Sequence, residues 1–407
     1  MKRSVLPASI WLLQKALGLL HHRPAMQGFN QMGRMIRSAA LAGGLLCITA
    51  EQAQAAESLQ TWSAISEGFR REAMIARLPV AVVPSRLDQA PPDQMLARRD
   101  PDIAAGFDAL MRPRDTRILM VSQNRRVIYE AYAEDWLRKS TPLGYSMSKS
   151  LTALAVGKGL CSGAISSLQQ HGDAILPELA GTAWGDATLE QLLRMQSGSS
   201  FQEPSRSGWQ SEPVAVENRG VYTGQMVGNF LDLMRRHDER RYQPGEQFQY
   251  NNYDTTALGL LVEAATGRKF WDFFNETIWQ PVGPRQTGAW LVNGAGQTAA
   301  YAGFSAAPED WIRLGHFVIE AMQKPDDCFA RYLAEAIKPV QKTFIPTRCY
   351  GYQIWNWCST DSFMFFGYGG QYLVINPRRG VVMYAHQASN ANDPPMMALY
   401  QRVLKLP

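Results

Sequence analysis

Cysteine and histidine are scarce in this chain, five and six among 407 residues, and no group of them is spaced as metal ligands are. That excludes the familiar Cys/His zinc arrangements, and no metal or organic cofactor is expected. The glycine signatures GxGxxG and GxxxxGKS are missing, which removes the usual backbone cradles for nucleotide phosphates. A charge excess is missing from most of the length as well. The formal net charge is +5, but residues 1–55 hold six basic residues (Lys2, Arg3, Lys15, Arg23, Arg34, Arg37) against Glu51 alone, so the chain from Ala56 onward is balanced. Nucleic-acid binding needs a basic face, and none is expected here. No apolar run is long enough to span a bilayer comfortably, so no stable membrane anchor is expected. Internal repeats and low-complexity tracts are also lacking.

What is present begins with a leader. Arg34 and Arg37 precede the short apolar run AALAGGLLCITA, and Ala53-Gln54-Ala55 places small residues where a signal peptidase reads them. The expectation is an exported, periplasmic protein cleaved near Ala55. Leu46 before Cys47 argues against a lipid-modified cysteine. Cleavage would leave Cys161, Cys328, Cys349 and Cys358, which an oxidising compartment could join in any of three complete pairings.

Residues 56–407 are 46% hydrophobic when taken with the leader, enough for a large core, and read as a single domain. A Pro-rich passage, VVPSRLDQAPPDQ, reads as a surface connector. ILMVSQNRRVIYEAY gives two β-branched runs around Gln123-Asn124, the pattern of a hairpin. LGYSMSKSLTALAVGKGL then has apolar residues at helical spacing. Helical and loop signals fill about 171–285, an inserted helical lobe. A further helix, AAPEDWIRLGHFVIEAM, precedes three strand-like runs (YGYQIWNW, SFMFFGYGGQYLVINP, GVVMYAH) and a C-terminal helix, MMALYQRVLKL. Strands at both ends imply one sheet assembled from about 56–170 and 286–407, flanked by terminal helices: an α/β (α+β) fold.

Ser146 and Lys149 stand one helical turn apart in LGYSMSKSL, on one face and within mutual reach. A serine hydroxyl attacks a carbonyl only when a neighbouring base takes its proton, and a lysine can be that base if burial disfavours its charge. The competing reading is a serine that caps a helix followed by a solvated lysine. Of ten lysines, however, only Lys149 follows a serine by three, and it opens an otherwise apolar helix. Tyr250 and Asn252, the only Tyr-x-Asn, follow the turn signal PGEQF; a phenol can shuttle a proton and an amide can orient a carbonyl. The alternative there is a pair that caps a helix starting near Asp254. In FFGYGGQYLVINP, Gly369 and Gly370 read as glycines within a strand, at a close approach to substrate or at a bulge. A backbone N–H near Gln371 could then face an oxyanion. His171, His237, His316 and His386 read as surface or structural residues, and RRHDERR (235–241) as a solvated face.

In this order and rough spacing, Ser146-x-x-Lys149, Tyr250-x-Asn252 and the Tyr368-Gly369-Gly370 stretch resemble the motifs of the penicillin-recognising serine hydrolases. From about residue 115 the chain resembles their β-lactamase-related branch: class C β-lactamases, esterases, D-aminopeptidases and, in its Tyr-Asn-x-x-Asp-Thr wording, 6-aminohexanoate-oligomer hydrolases. The resemblance implies a β-lactamase/penicillin-binding-protein-like fold with an antiparallel sheet. It implies Ser146 as acylated nucleophile, Lys149 and Tyr250 sharing proton transfer, and Asn252, Tyr368, Gly369, Gly370 and Gln371 at the substrate, with the N–H groups of Ser146 and Gln371 as oxyanion hole. Relatives that process β-lactams have Lys-Thr-Gly where this chain has Tyr368-Gly369-Gly370, and no lysine lies between Lys342 and Lys405. The partner expected is therefore a small ester or amide, with Trp209, Tyr222, Trp355, Trp357, Phe365 and Phe366 as an apolar acyl pocket of which half could equally be core. β-Lactamase or D-amino acid peptidase activity, or a non-catalytic cell-wall or peptide-binding role, are the alternatives. Oligomeric state is not indicated.

Overall fold

The computed structural model describes residues 75–406 apart from 90–91, 113–114, 134–135, 200–227, 344, 346, 358–360 and 389–392. The leader, Trp209, Tyr222 and Cys358 lie outside the described residues. Twelve strands occur among those described: β1 (Ile75–Leu78), β2 (Asp88–Gln89), β3 (Thr116–Gln123), β4 (Arg126–Tyr132), β5 (Gly288–Leu291), β6 (Phe304–Ser305), β7 (Gln341–Lys342), β8 (Arg348–Tyr350), β9 (Trp355–Trp357), β10 (Phe363–Gly367), β11 (Gln371–Asn376) and β12 (Val381–Gln387). Nine of them form one sheet in the order β2-β4-β3-β12-β11-β10-β9-β8-β7. Its pairings are antiparallel except for the short parallel contact of β2 with β4. β3 from the front of the chain sits beside β12 from its end, so one mostly antiparallel sheet is assembled from distant parts of the chain.

The hairpin read at Gln123-Asn124 is present. Gln123 pairs with Arg126, and Asn124 and Arg125 between them both take positive φ, 49° and 61°, the conformation of a two-residue turn whose twist matches the strands. Each of the last two predicted strand-like segments before β12 is itself a hairpin. YGYQIWNW splits into β8 and β9, and SFMFFGYGGQYLVINP into β10 and β11. Gly369 and Gly370 are therefore not inside a strand: they belong to the tight turn at Tyr368–Gly370, with φ of 73° and 83°, which residues with a Cβ adopt only under strain.

Seven longer helices are labelled α1 (Pro92–Arg99), α2 (Pro101–Met111), α3 (Met147–Cys161), α4 (Asn252–Thr266), α5 (Pro308–Met322), α6 (Cys328–Ala336) and α7 (Asp393–Val403). The sheet is buried on both faces, which explains the near-continuous apolar strands. Alternate residues of β3 show the partition: Ile118 and Met120 join a core with α3 and α5, while Leu119 and Val121 join a second core with α2 and α7. Between Gly172 and Val282 the described residues form helices and loops, including Leu189–Leu193, Phe230–Arg236 and α4. A small second sheet, β1-β5-β6, was not foreseen, since its strands run only two to four residues.

One disulfide links Cys161 at the end of α3 to Cys328 at the start of α6; Cys349 is disulfide-bonded too. His316 and His386 are buried structural residues, and burial pushes His316 down to about 4. RRHDERR is largely exposed, but Asp238 accepts the Ala183 N–H at 2.7 Å and Arg240 pairs with Asp186, so it also ties two loops together.

Candidate active site

The turn at Gly144–Ser146 is held from both sides before the helix begins. Gly144 donates its N–H to the Phe304 carbonyl at 2.8 Å, and the Gly144 oxygen lies 2.3 Å from where a Cβ on Gly367 would stand. Only a glycine lets the end of β10 come that close. Tyr145 follows with φ of 47°, a left-handed conformation that is strained for a residue with a side chain and is concentrated at functional sites. Ser146 is then the N-cap of α3, at the positive end of the helix.

Ser146 makes no side-chain cap bond, and Lys149 is only 1% exposed. The reading of a capping serine and a solvated lysine is thereby removed. The Lys149 ammonium donates to Ser146 Oγ at 3.0 Å, Asn252 Oδ1 at 2.7 Å and the Tyr301 carbonyl at 3.0 Å. It also stands 5.1 Å from the Tyr250 ring centre and 5.6 Å from that of Tyr301. An ammonium has three donors, and these three acceptors, all uncharged, account for them.

Tyr250 closes the other side of Ser146. Its hydroxyl is hydrogen-bonded to Ser146 and to the Trp355 indole, and burial pushes it up to about 12 against the pull of those two partners. The phenol is therefore neutral in the resting site. Trp355, expected as a pocket wall, serves here as a partner of Tyr250, with ring centres 5.4 Å apart. Phe365 is core on the α3 face and Trp357 stacks on Tyr400 of α7, so neither is assigned to an acyl pocket; Phe366 packs against Trp355.

The second motif enters through α4, which starts at Asn252 rather than near Asp254, capped by Asn251, whose side chain accepts the Asp254 N–H at 2.7 Å. Asp254 is buried and takes N–H bonds from the Trp184 indole at 3.0 Å and from Ser197 at 3.2 Å; burial raises it to about 6. A residue outside every motif sets the two helices in register. Gln353 is fully buried; its carbonyl accepts the Ser150 hydroxyl of α3 at 2.6 Å, and its side-chain oxygen accepts the Thr255 hydroxyl of α4 at 2.7 Å. Its amide nitrogen donates to the carbonyls of Leu192 and Leu193.

Glutamines also hold the third motif. Gln371 Nε2 donates to the carbonyls of Tyr368, Gly369 and Gln387 at 3.0, 3.2 and 2.8 Å, and Gln387 Nε2 donates to that of Gly370 at 3.2 Å. Each carbonyl of the turn is thus anchored by a neutral amide, whereas the motif of the β-lactam-processing relatives places a cation and a hydroxyl there. Tyr368 is 62% exposed and meets Tyr145 edge-on at 6.1 Å. The structure brings Ser146, Lys149, Tyr250 and Asn252 together and sets the Tyr368–Gln371 turn beside Tyr145. Sequence reasoning missed Tyr301, Gln353 and Gln387. Tyr301 acts through its main chain, which leaves no side-chain signal. Among the described residues no cluster of His, Cys, Asp and Glu could hold a metal.

A serine and lysine one turn apart at a helix start, faced by a Tyr-x-Asn and backed by a mostly antiparallel sheet, make up the arrangement of the β-lactamase fold. The chain belongs to the beta-lactamase family, whose model matches residues 107–406. It is 25% identical over 255 residues to the 6-aminohexanoate-dimer hydrolase of Paenarthrobacter ureafaciens, spanning 61% of this chain and 63% of that relative's length. Among solved structures, it is similar to a Bacillus anthracis protein described as a 6-aminohexanoate-dimer hydrolase (TM-score 0.67, 22% identity, 82% of this chain and 92% of that one). It is also similar to EstCE1, a hydrolase with promiscuous acyltransferase activity (TM-score 0.58, 16% identity, 76% and 99%). At these identities the structures speak for the fold alone.

Proposed function

We propose that the chain is a serine hydrolase that cleaves a carboxylic ester or small amide through an acyl-enzyme on Ser146. The observation that carries this reading is the position of Ser146 Oγ, 3.0 Å from a buried lysine and bonded on its other side to the Tyr250 hydroxyl. Ser146 Oγ attacks the carbonyl carbon as its proton passes to the Tyr250 oxygen, while the Tyr250 hydroxyl proton passes to the leaving-group atom, so the neutral phenol relays one proton and is regenerated. The Lys149 ammonium keeps its protons throughout and stabilises the negative charge that the phenol oxygen carries during the relay. Water repeats the sequence on the acyl-enzyme. Asn252 fixes Lys149 and orients substrate, and the N–H groups of Ser146 and Gln371 receive the oxyanion at the positive end of α3.

The relatives described as 6-aminohexanoate-dimer hydrolases, and the wording of the Tyr250 motif, support a linear amide as substrate. The absence of a third-motif lysine weighs against β-lactams. The N-terminal leader, together with the Cys161–Cys328 disulfide, supports export to an oxidising compartment such as the periplasm.

The test is mass spectrometry after incubation with a fluorophosphonate, alongside a p-nitrophenyl butyrate assay. An adduct on Ser146 and ester turnover lost in Ser146→Ala are expected; folded protein left unlabelled at Ser146 would overturn the reading in favour of a binding protein.

A further inference from the structure

The cation that the third motif lacks has a counterpart at the same end of the sheet. In the pairing of β3 with β12, Ile118 faces His386 and Thr116 faces Gln387, so Arg117 is the extra residue of a β-bulge. Bulges bend a strand and re-aim a side chain, and they recur beside active sites. The Arg117 guanidinium lies 5.6 Å from the ring centre of Trp136, which packs against His386 at 4.8 Å. It is partly buried, yet among the described residues it makes no hydrogen bond or ion pair; the Asp115 carboxylate acts on it only across space, and Tyr145 stands nearby. A guanidinium withdrawn from water with its five donors unused is a ready receptor for a planar anion.

Its position relates it to the site. The start of β3 is bonded to the end of β12, with Ala388 N–H donating to Asp115 O at 2.7 Å and the Thr116 hydroxyl to Gln387 Oε1 at 3.4 Å. Gln387 in turn anchors Gly370 of the third motif. On the other side stands Tyr145, adjacent to the nucleophile and edge-on to Tyr368.

We propose that Arg117 binds the carboxylate of a substrate whose scissile carbonyl lies at Ser146, so that the preferred substrates are carboxylate-terminated amides or esters, such as N-acylated ω-amino acids. This rests on the hydrolase reading above and adds the chemical class of the leaving group. The carboxylate takes up the unused donors and sets the distance from Arg117 to the scissile bond, which neutral analogues cannot do.

The probes are N-butyryl-6-aminohexanoate and its carboxamide, which share the acyl group and differ in the terminal charge. Binding is measured by calorimetry to Ser146→Ala protein with and without Arg117→Met, and kcat/KM is measured on the active protein with and without the same change. The expected result is that Arg117→Met lowers the carboxylate-to-carboxamide ratio roughly tenfold to a hundredfold in both measurements, mainly through KM in turnover, with Arg117→Lys falling between. Equal losses on both probes, or no preference in the Ser146→Ala protein, would overturn the assignment. If neither the amides nor p-nitrophenyl butyrate are turned over, the hydrolase reading fails by itself, while the calorimetric ratio still decides the role of Arg117.

Discussion

Lys149 Nζ stands 2.7 Å from Asn252 Oδ1, at least as close as it stands to Ser146 Oγ at 3.0 Å, although Lys149 and Asn252 are 103 residues apart in the chain. Asn252 thus restrains the lysine whatever else it does for substrate. Asn252→Leu is expected to lower kcat on p-nitrophenyl butyrate roughly tenfold to a hundredfold, the value of one hydrogen bond to a charged group. Steady-state kinetics would show KM changing much less; a pure KM effect would assign Asn252 to substrate binding alone.

Gln353→Leu leaves the buried Thr255 hydroxyl without its acceptor, while the carbonyls of Leu192 and Leu193 lose one of their donors but keep the backbone N–H groups of Met195 and residue 353. A buried polar group so orphaned costs about 1–3 kcal/mol. A lowered urea midpoint together with a fall in kcat is the expected outcome, because α3 and α4 lose their common tie. A destabilised variant with undiminished kcat at low temperature would show that Gln353 supports the fold without setting the register of the site.

Asp254 gives a pH signature. Its carboxyl is raised from 3.8 to about 6 in the folded protein by burial, so between these values the native state holds a proton that the unfolded chain has released. Stability contributed by this group is therefore full below about 4 and declines as pH rises towards about 6. Asp254→Asn removes the titration, so its stability deficit relative to the parent should narrow from pH 4 to pH 6 in urea titrations. A deficit that is constant or widens over that interval contradicts the assignment.

The Cys161–Cys328 bridge closes a loop of 167 residues in sequence separation that contains the helical lobe and the Tyr250 motif. Replacing both cysteines with serine should lower stability by about 2–4 kcal/mol, measured by chemical denaturation. An unchanged midpoint would mean that the helical lobe is restrained by packing alone.

The contact between Ser146 and Lys149 was legible because their spacing matches a helical turn and because a lysine in an apolar helix demands a partner. The β3–β4 hairpin was legible from Gln123-Asn124 between β-branched runs. The turn at Tyr368–Gly370 was not, since a strand pattern records which side chains are apolar and says nothing about the sign of φ at a glycine. Which of the aromatics are core was not legible for a related reason: Phe365 and Phe366 are neighbours in sequence, but successive strand residues point to opposite faces, and the two enter different cores. Gln353 and Gln387 escaped notice because a single glutamine looks the same in a sequence whether it is exposed or anchors buried carbonyls.

The central seam of the sheet joins Thr116 to Gln387, 271 residues apart. Until β12 has been synthesised, β3 has no partner on that side, β11 lacks its neighbour, and the Tyr368–Gly370 turn lacks the Gln387 amide. Pairings of such long range are slow to form, since the intervening loop must close first. The order of synthesis therefore withholds a finished Ser146 site until β12 has been made and has closed the seam against β3.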